Sequence, residues 1–289
     1  MRKLLLFAAI VLVGLFSVFQ VRLEAPGPRR PPPARPEPWK GWATERETGP
    51  AAKADLAVPA LPQFSISYRF DRSRPCVGRC AGTAFAVEPA GVWLTARHVV
   101  ESCRRVYLRG KELQPVARVV LHPSADVALI LTAHLGPTLG LDPSRLAGGQ
   151  DGFHFGYPAG RPGSVYSRLL GRTDVRRGGA WGAGEPVIAW AEVARQPARQ
   201  GSLGGISGGA VLDAAGKAVG VTIAEEPRRG RVLSAAPESL FEALAGAGKT
   251  PSTEGSDGIR DIDAADFGAR GDRLRRDGTV VQVLCDASV

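Results

Sequence analysis

The chain has 289 residues, 44% hydrophobic and 22% charged, with 37 Lys and Arg against 28 Asp and Glu. That composition belongs to a globular protein and excludes a fibrous or wholly disordered chain. The net charge of +9 invites a nucleic-acid reading. Against it, arginine supplies 31 of the 37 cations and asparagine is absent, a bias expected of GC-rich coding. No stretch interleaves basic and aromatic residues in the way that stacks bases, so nucleic acid is not an expected partner.

Residues 1–22 begin with Arg2 and Lys3, followed by an apolar run from Leu4 to Val21 broken only by Gly14, Ser17 and Gln20. A positive start and an apolar run are the marks of an export signal, and the run approaches the ~20 residues a membrane helix needs. The following residues, Gln20 to Pro26, offer no pair of small residues for cleavage. A retained membrane anchor with Arg2 and Lys3 in the cytoplasm is therefore favoured over a cleaved signal peptide. Either way the remainder is expected outside the cytoplasm: anchored to the inner membrane and facing the periplasm, or secreted if the leader is removed. Residues 23–62 form a linker. Seven of the thirteen positions from 26 to 38 are proline, which dictates an extended polyproline spacer.

From Phe64 to about Ile223 the texture changes to apolar runs of four to seven residues cut by Gly and Pro. Examples are Gly82–Val87, Val92–Thr95, Val116–Leu121, Val127–Leu131, Val187–Trp190 and Ala218–Ile223. Such runs read as strands, and their spacing predicts an all-β barrel or sandwich rather than βαβ units. A helix is expected over Pro237–Leu244, with proline at its start and Gly246 beyond its end. Residues 246–289 read as an acidic, polar C-terminal extension with one short apolar stretch, Val280–Leu284.

The segment Gly205-Ile206-Ser207-Gly208-Gly209 places a serine on a glycine-rich turn, where its backbone can approach a ligand closely. A serine hydroxyl is a poor nucleophile unless a base, an orienting group and donors for the developing oxyanion surround it. Among four histidines, His98 follows the apolar run Val92–Ala96 and so stands at a strand end. Asp126 opens the run Val127–Leu131, where a carboxylate is buried and must be paired.

The stretch from Gly82 through Thr95-Ala96-Arg97-His98-Val99-Val100 resembles the histidine region of trypsin-like serine proteases, particularly the bacterial HtrA-type branch. Ser124-Ala125-Asp126-Val127 is similar to the aspartate region, and Gly205–Gly209 to the serine region. Phe155-Gly156-Tyr157-Pro158 resembles a strand and turn early in the second barrel of that family. The order His98, Asp126, Ser207, with gaps of 28 and 81 residues, is also that of the family. The resemblance covers about residues 63–245. It implies two perpendicular six-stranded antiparallel β-barrels with the active site between them, and hydrolysis of peptide bonds through an acyl-enzyme. In that reading Ser207 attacks, His98 carries the proton, Asp126 orients His98, and the amides of Gly205 and Ser207 form the oxyanion hole. Val221, Thr222, Ile223 and Ala224 pair with an extended peptide substrate by strand addition. No cofactor or metal is needed, and no PDZ domain fits the tail. The competing reading is a non-catalytic peptide-binding protein of the same fold.

Two departures from the family bear on specificity and control. Ile206 stands where the pancreatic branch has an aspartate that pairs with a freed N-terminus, so activation by that route is not expected. Gly201 stands where trypsin has its pocket aspartate, and with Ser202 it leaves an uncharged pocket for a small or medium apolar residue. Glu225 and Glu226 follow the substrate strand, where they could rim the site and favour basic substrates, but exposed charges after a strand usually face solvent. Four cysteines in an exported chain favour two disulfides. Cys80 and Cys103 resemble the bridge that clamps the histidine loop of the family, which leaves Cys76 for Cys285; the other two connectivities remain open. Ala243–Thr250 imitates a nucleotide phosphate loop, but Pro251 follows it where a helix is required, so no nucleotide is expected. His122 and His134 share no face with Asp126 and read as surface or loop histidines.

Overall fold

The computed structural model describes residues 61–64, 68–70, 76, 78–133, 136–142, 146–177, 184–198 and 201–288. The leader over 1–22, most of the proline-rich linker and His134 lie outside the described residues. Among those residues no helix is long and apolar enough to cross a membrane.

The chain builds two sheets. The strands are β1 (Tyr68–Phe70), β2 (Arg79–Glu88), β3 (Val92–Thr95), β4 (Arg105–Arg109), β5 (Leu113–Pro115), β6 (Arg118–Leu121) and β7 (Ala128–Leu131). They continue with β8 (Asp151–Gly156), β9 (Gly163–Arg177), β10 (Glu185–Gln196), β11 (Ala210–Leu212), β12 (Ala218–Glu226), β13 (Arg231–Ala235) and β14 (Val280–Asp286). The helices are α1 (Arg97–Val100), α2 (Pro237–Gly246) and α3 (Phe267–Asp277).

One sheet runs β1-β9-β10-β13-β12-β11-β8, and β8 also pairs with β9, closing six strands into a barrel. Closure is possible because β9 is fifteen residues long. Its first half meets β8, from Gly163 opposite Gly156 to Arg168 opposite Asp151. Its last residues, from Val175, meet β1. The barrel interior is filled by Leu169, Ile188, Trp190, Val211 and Val219, all 2% exposed or less, whereas Phe153 on the opposite face of β8 stacks on Phe267 of α3. Burying each such side chain contributes roughly 1.5–3 kcal/mol.

The other sheet runs β5-β4-β14-β2-β3-β7-β6 and curls without closing. The expectation of two six-stranded barrels is thus met by one barrel and one open seven-stranded sheet. The difference lies in β14, which inserts between β2 and β4. Val280 pairs with Phe85 and Asp286 with Arg79 on one side, and Gln282 pairs with Arg109 on the other. The segment set apart as an acidic extension therefore supplies an interior strand. Its residues Val280, Val281 and Val283 are buried in the same core as Phe85 and Leu94.

Before β14, α3 lays Phe267, Gly268, Gly271 and Leu274 inward against the barrel. Gly271 is there because a Cβ would stand 2.4 Å from Ser164 Oγ and 2.6 Å from Phe155. A glycine on the buried face hides this helix from sequence patterning. Helix α2 occupies its expected place, with Pro237 in the first turn, where its lack of an N–H costs nothing.

The disulfides join Cys76 to Cys80 and Cys103 to Cys285, which corrects the expected Cys80–Cys103 and Cys76–Cys285 pairs. The insertion of β14 is the physical reason. Asp286 faces Arg105 across the β14–β4 ladder and accepts the amide of Arg104 at 2.8 Å, which brings Cys103 alongside Cys285.

Candidate active site

His98 lies in α1, a single turn that starts directly after β3. Its backbone amide donates to Asp126 Oδ1 at 2.9 Å, and its Nδ1 is 2.8 Å from Asp126 Oδ2. Asp126 is wholly buried, and the imidazole side chain is 28% exposed. Both carboxylate oxygens thus hold the same histidine, through its main chain and its ring. A buried carboxylate in that position favours the tautomer with its hydrogen on Nδ1, which leaves Nε2 as an acceptor.

The loop that carries Asp126 is held by residues that motif spacing does not reveal. Arg97 Nη1 donates to the carbonyl of His122 at 2.5 Å and to that of Pro123 at 3.2 Å. His122, expected at the surface or in a loop, lies in the loop after β6 but is only 3% exposed. Its Nδ1 accepts the amides of Ala125 at 2.7 Å and Ser124 at 3.2 Å. Nε2 then carries the hydrogen and donates it to Glu242 Oε2 at 3.1 Å. Burial lowers the His122 pKa, while Glu242 works in the opposite direction. From the barrel, Glu185 Oε1 accepts the Asp126 amide at 2.6 Å.

Ser207 reaches the same region through backbone contacts between the two sheets. Its carbonyl accepts the amide of Thr83, in β2, at 2.8 Å. Thr83 Oγ1 donates to the carbonyl of Gly205 at 2.8 Å and accepts the amide of Tyr157 at 3.1 Å. Thr95 Oγ1, at the end of β3, donates to the Thr83 carbonyl at 2.7 Å. Gly208, at φ +88°, fits where a Cβ would be 2.0 Å from the Thr83 carbonyl and 3.0 Å from the Ala96 amide. The serine turn is thus pressed against residues that lie two and three positions before His98.

Two amides of the turn remain available. The Gly204 carbonyl accepts from Ala159 at 2.6 Å, and the Ile206 carbonyl from Gly209 at 2.9 Å. A trans peptide sets its N–H opposite its carbonyl, so the amides of Gly205 and Ser207 point away from these partners. Neither finds an acceptor among the described residues. Ile206 is 2% exposed and packs with Val165, Leu203 and Val232. Apolar contact anchors the position where the pancreatic branch uses a carboxylate.

Of the expected substrate strand, Val221, Thr222 and Ile223 have buried side chains. Thr222 exchanges backbone bonds with the turn, accepting from Gly208 at 2.7 Å and donating to Gly209 at 2.8 Å. From Ile223 onward β12 pairs only with β13 among the described residues, so its other edge is open beside the turn. Gly201 and Ser202 are exposed. Glu225, expected to rim the site or to face solvent, meets this loop. Glu225 turns inward and accepts the amide of Leu203 at 2.8 Å and the hydroxyl of Ser202. Among the described residues no cluster of three His, Cys, Asp or Glu side chains could hold a metal.

This ordering of histidine, aspartate and serine over two packed sheets agrees with a family comparison. Residues 82–221 match the trypsin-like peptidase domain. The match runs from Gly82 in β2 past His98, Asp126 and Ser207 to Val221 in β12. No curated protein sequence matches the chain.

Among solved structures it is similar to the inactive form of the Rv3671c protease, at 23% identity and TM-score 0.49, over 58% of this chain and 83% of that one. The active form from M. tuberculosis is 20% identical at TM-score 0.49, over 68% and 93%. The HtrA-type protease AlgW with a decapeptide is 18% identical at TM-score 0.44, over 58% of this chain and 51% of that one.

Proposed function

We propose that this trypsin-like domain is a serine endopeptidase in which Ser207, His98 and Asp126 act together. The observation that carries the reading is the double hold of Asp126 on His98, at 2.9 and 2.8 Å, beside a serine turn fastened to the strand of Thr83.

In this reading an extended peptide lies along the open edge of β12, at Ile223 and Ala224. The Ser207 hydroxyl attacks the scissile carbonyl as His98 Nε2 takes its proton. Charge develops on the carbonyl oxygen, and the unengaged amides of Gly205 and Ser207 donate to it; each such donor is worth about 3–4 kcal/mol of barrier. His98 returns the proton to the leaving amine, and water then releases the acyl group by the same path. The imidazolium formed on the way is stabilised by Asp126. The apolar leader and the two disulfides support an exported enzyme tethered to the membrane, with the domain on the extracytoplasmic side.

Labelling with a fluorophosphonate tests the assignment. The wild-type protein is expected to react once per chain and to digest an unfolded protein such as casein, and Ser207→Ala to do neither. A folded wild-type protein that takes no label and cleaves nothing, yet binds unfolded chains, would establish the non-catalytic reading instead.

A further inference from the structure

The turn between β8 and β9, residues 157–162, supplies no group to the bond-breaking steps above, yet it fixes one. The Ala159 amide donates to the Gly204 carbonyl at 2.6 Å. That carbonyl shares a peptide unit with the Gly205 N–H, so the bond aims the N–H the opposite way. A peptide between two glycines rotates easily, and the Gly204 carbonyl has no other donor among the described residues. The fit is close. Gly205 lies at φ +100°, and a Cβ on it would stand 2.6 Å from the Tyr157 carbonyl oxygen.

Ala159 makes its bond from a conformation that an L residue resists. It lies in the left-handed region, at φ 51° and ψ 33°. Such a backbone persists only where its surroundings impose it.

The imposing groups come from the C-terminal segment. Arg275, in the last turn of α3, has a side chain only 6% exposed. Its Nη1 donates to the Gly163 carbonyl at 3.0 Å and to the Gly156 carbonyl at 3.4 Å. Gly156 and Gly163 are ladder partners at the two ends of the turn, so one guanidinium nitrogen closes it. Nη2 donates to Asp272 Oδ1 at 2.8 Å and to Ser164 Oγ at 3.4 Å, and the buried Nε has no partner among the described residues. Most of this sequestered charge is thus turned on main-chain carbonyls, and a planar guanidinium holds such acceptors along fixed directions. From β14, the Val280 carbonyl accepts the Tyr157 hydroxyl at 3.3 Å.

We infer that Arg275 is a positioning residue for the oxyanion hole. It closes the turn over 157–162, the turn presents the Ala159 amide, and that amide sets the direction of the Gly205 N–H. Residue 275 lies beyond residue 221, where the match to the trypsin-like peptidase domain ends, so the C-terminal segment completes the catalytic site. The assignment rests on the endopeptidase reading for the use made of Gly205.

The test compares the full-length wild type with Arg275→Met, which keeps the length of the stem without its donors, and Arg275→Lys, which keeps a cation and can hold one carbonyl. Amide hydrogen exchange, read by mass spectrometry with fragmentation to the residue, is followed at Ala159 and needs no catalysis. It is expected to quicken at least tenfold in the methionine variant and less in the lysine variant. Labelling of Ser207 by a fluorophosphonate should slow about tenfold, short of the roughly hundredfold of losing an oxyanion donor outright. A peptidyl trifluoromethyl ketone gives the specific readout. Its hemiketal on Ser207 carries an oxyanion whose pKa is followed by 19F NMR, and that pKa is expected to rise in the methionine variant and partly recover in the lysine variant. A lower urea midpoint with an unchanged hemiketal pKa, or unchanged exchange at Ala159, would overturn the inference. Should the methionine variant not fold, the lysine variant decides by the same two measurements. If wild-type Ser207 takes neither the label nor the ketone, the endopeptidase reading fails, and exchange at Ala159 alone supports or overturns the hold of Arg275 on the turn.

Discussion

Glu185 Oε1 lies 2.6 Å from the backbone nitrogen of Asp126, so a carboxylate at the start of β10 in the barrel supports a residue of the open sheet. Glu185 is 4% exposed and Asp126 is fully buried. Truncation by Glu185→Ala leaves a buried amide without its acceptor, a loss of about 1–3 kcal/mol. Glu185→Gln retains an acceptor oxygen and is expected to recover part of the loss. Urea-unfolding midpoints measure the stability, and the fluorophosphonate labelling rate reports whether His98 has shifted with Asp126. An alanine variant that labels and unfolds like wild type would show that this bond positions nothing.

Thr83 is the second link between the sheets, with Oγ1 between the Gly205 carbonyl and the Tyr157 amide. Thr83→Val keeps the shape and removes both bonds, with a cost of roughly 1–3 kcal/mol. Since Gly205 is one of the residues whose amide faces the proposed oxyanion, labelling is expected to slow at least tenfold. Loss of stability with an unchanged labelling rate would make Thr83 a packing residue only.

The two disulfides close loops of very different length. Cys103–Cys285 spans 182 residues and Cys76–Cys80 spans four. On the chain-entropy account the first contributes about 5 kcal/mol and the second about 2. The paired change Cys103→Ser with Cys285→Ser should lower the Tm well beyond the paired change at Cys76 and Cys80. It should also impair labelling, because Cys103 follows α1 and moors the histidine turn to β14. Differential scanning calorimetry on both double variants distinguishes these outcomes from equal shifts.

Acid should weaken the fold through His154. This residue is fully buried, with its ring nitrogens 2.9 Å from the hydroxyls of Thr222 and Ser167 and its ring edge-on to Trp190. Burial lowers its pKa to about 3. The unfolded chain, with a histidine near 6.5, takes up a proton that the folded chain refuses. The contribution is therefore whole above about pH 6.5 and is lost as the pH falls toward about 3, at up to about 1.4 kcal/mol per pH unit. His154→Gln is expected to flatten that slope in urea titrations between pH 6.5 and 4. An identical slope in the variant would assign the acid sensitivity elsewhere.

The sequence was most informative where an element is local and least where partners are distant. The Val92–Thr95 run predicts β3, and so the strand end that presents His98; Pro237 marks the start of α2. The acid at the head of Val127–Leu131 is buried because its neighbours are, and burial alone demanded a partner. What escaped detection is long-range. Val280–Leu284 is too short and isolated to announce that it fills the space between β2 and β4, and with it went the cysteine pairing. Arg97, His122 and Glu185 brace Asp126 through bonds spanning 25 to 59 residues in sequence or to the far-off Glu242. Whether Glu225 rims the site or faces solvent is open in the sequence, because only the fold shows the loop at Leu203 returning to meet it.

The position of β14 also sets the order in which the molecule can be finished. Every strand of the barrel, and every other strand of the open sheet, precedes it along the polypeptide. Until synthesis has passed residue 286, β2 and β4 present unfilled backbone edges, the kind that attract stray strands from other chains. The barrel has all its strands long before that, whereas the half bearing His98 and Asp126 must wait. Such a topology leaves His98 and Asp126 on an unfinished sheet until nearly the whole domain has emerged.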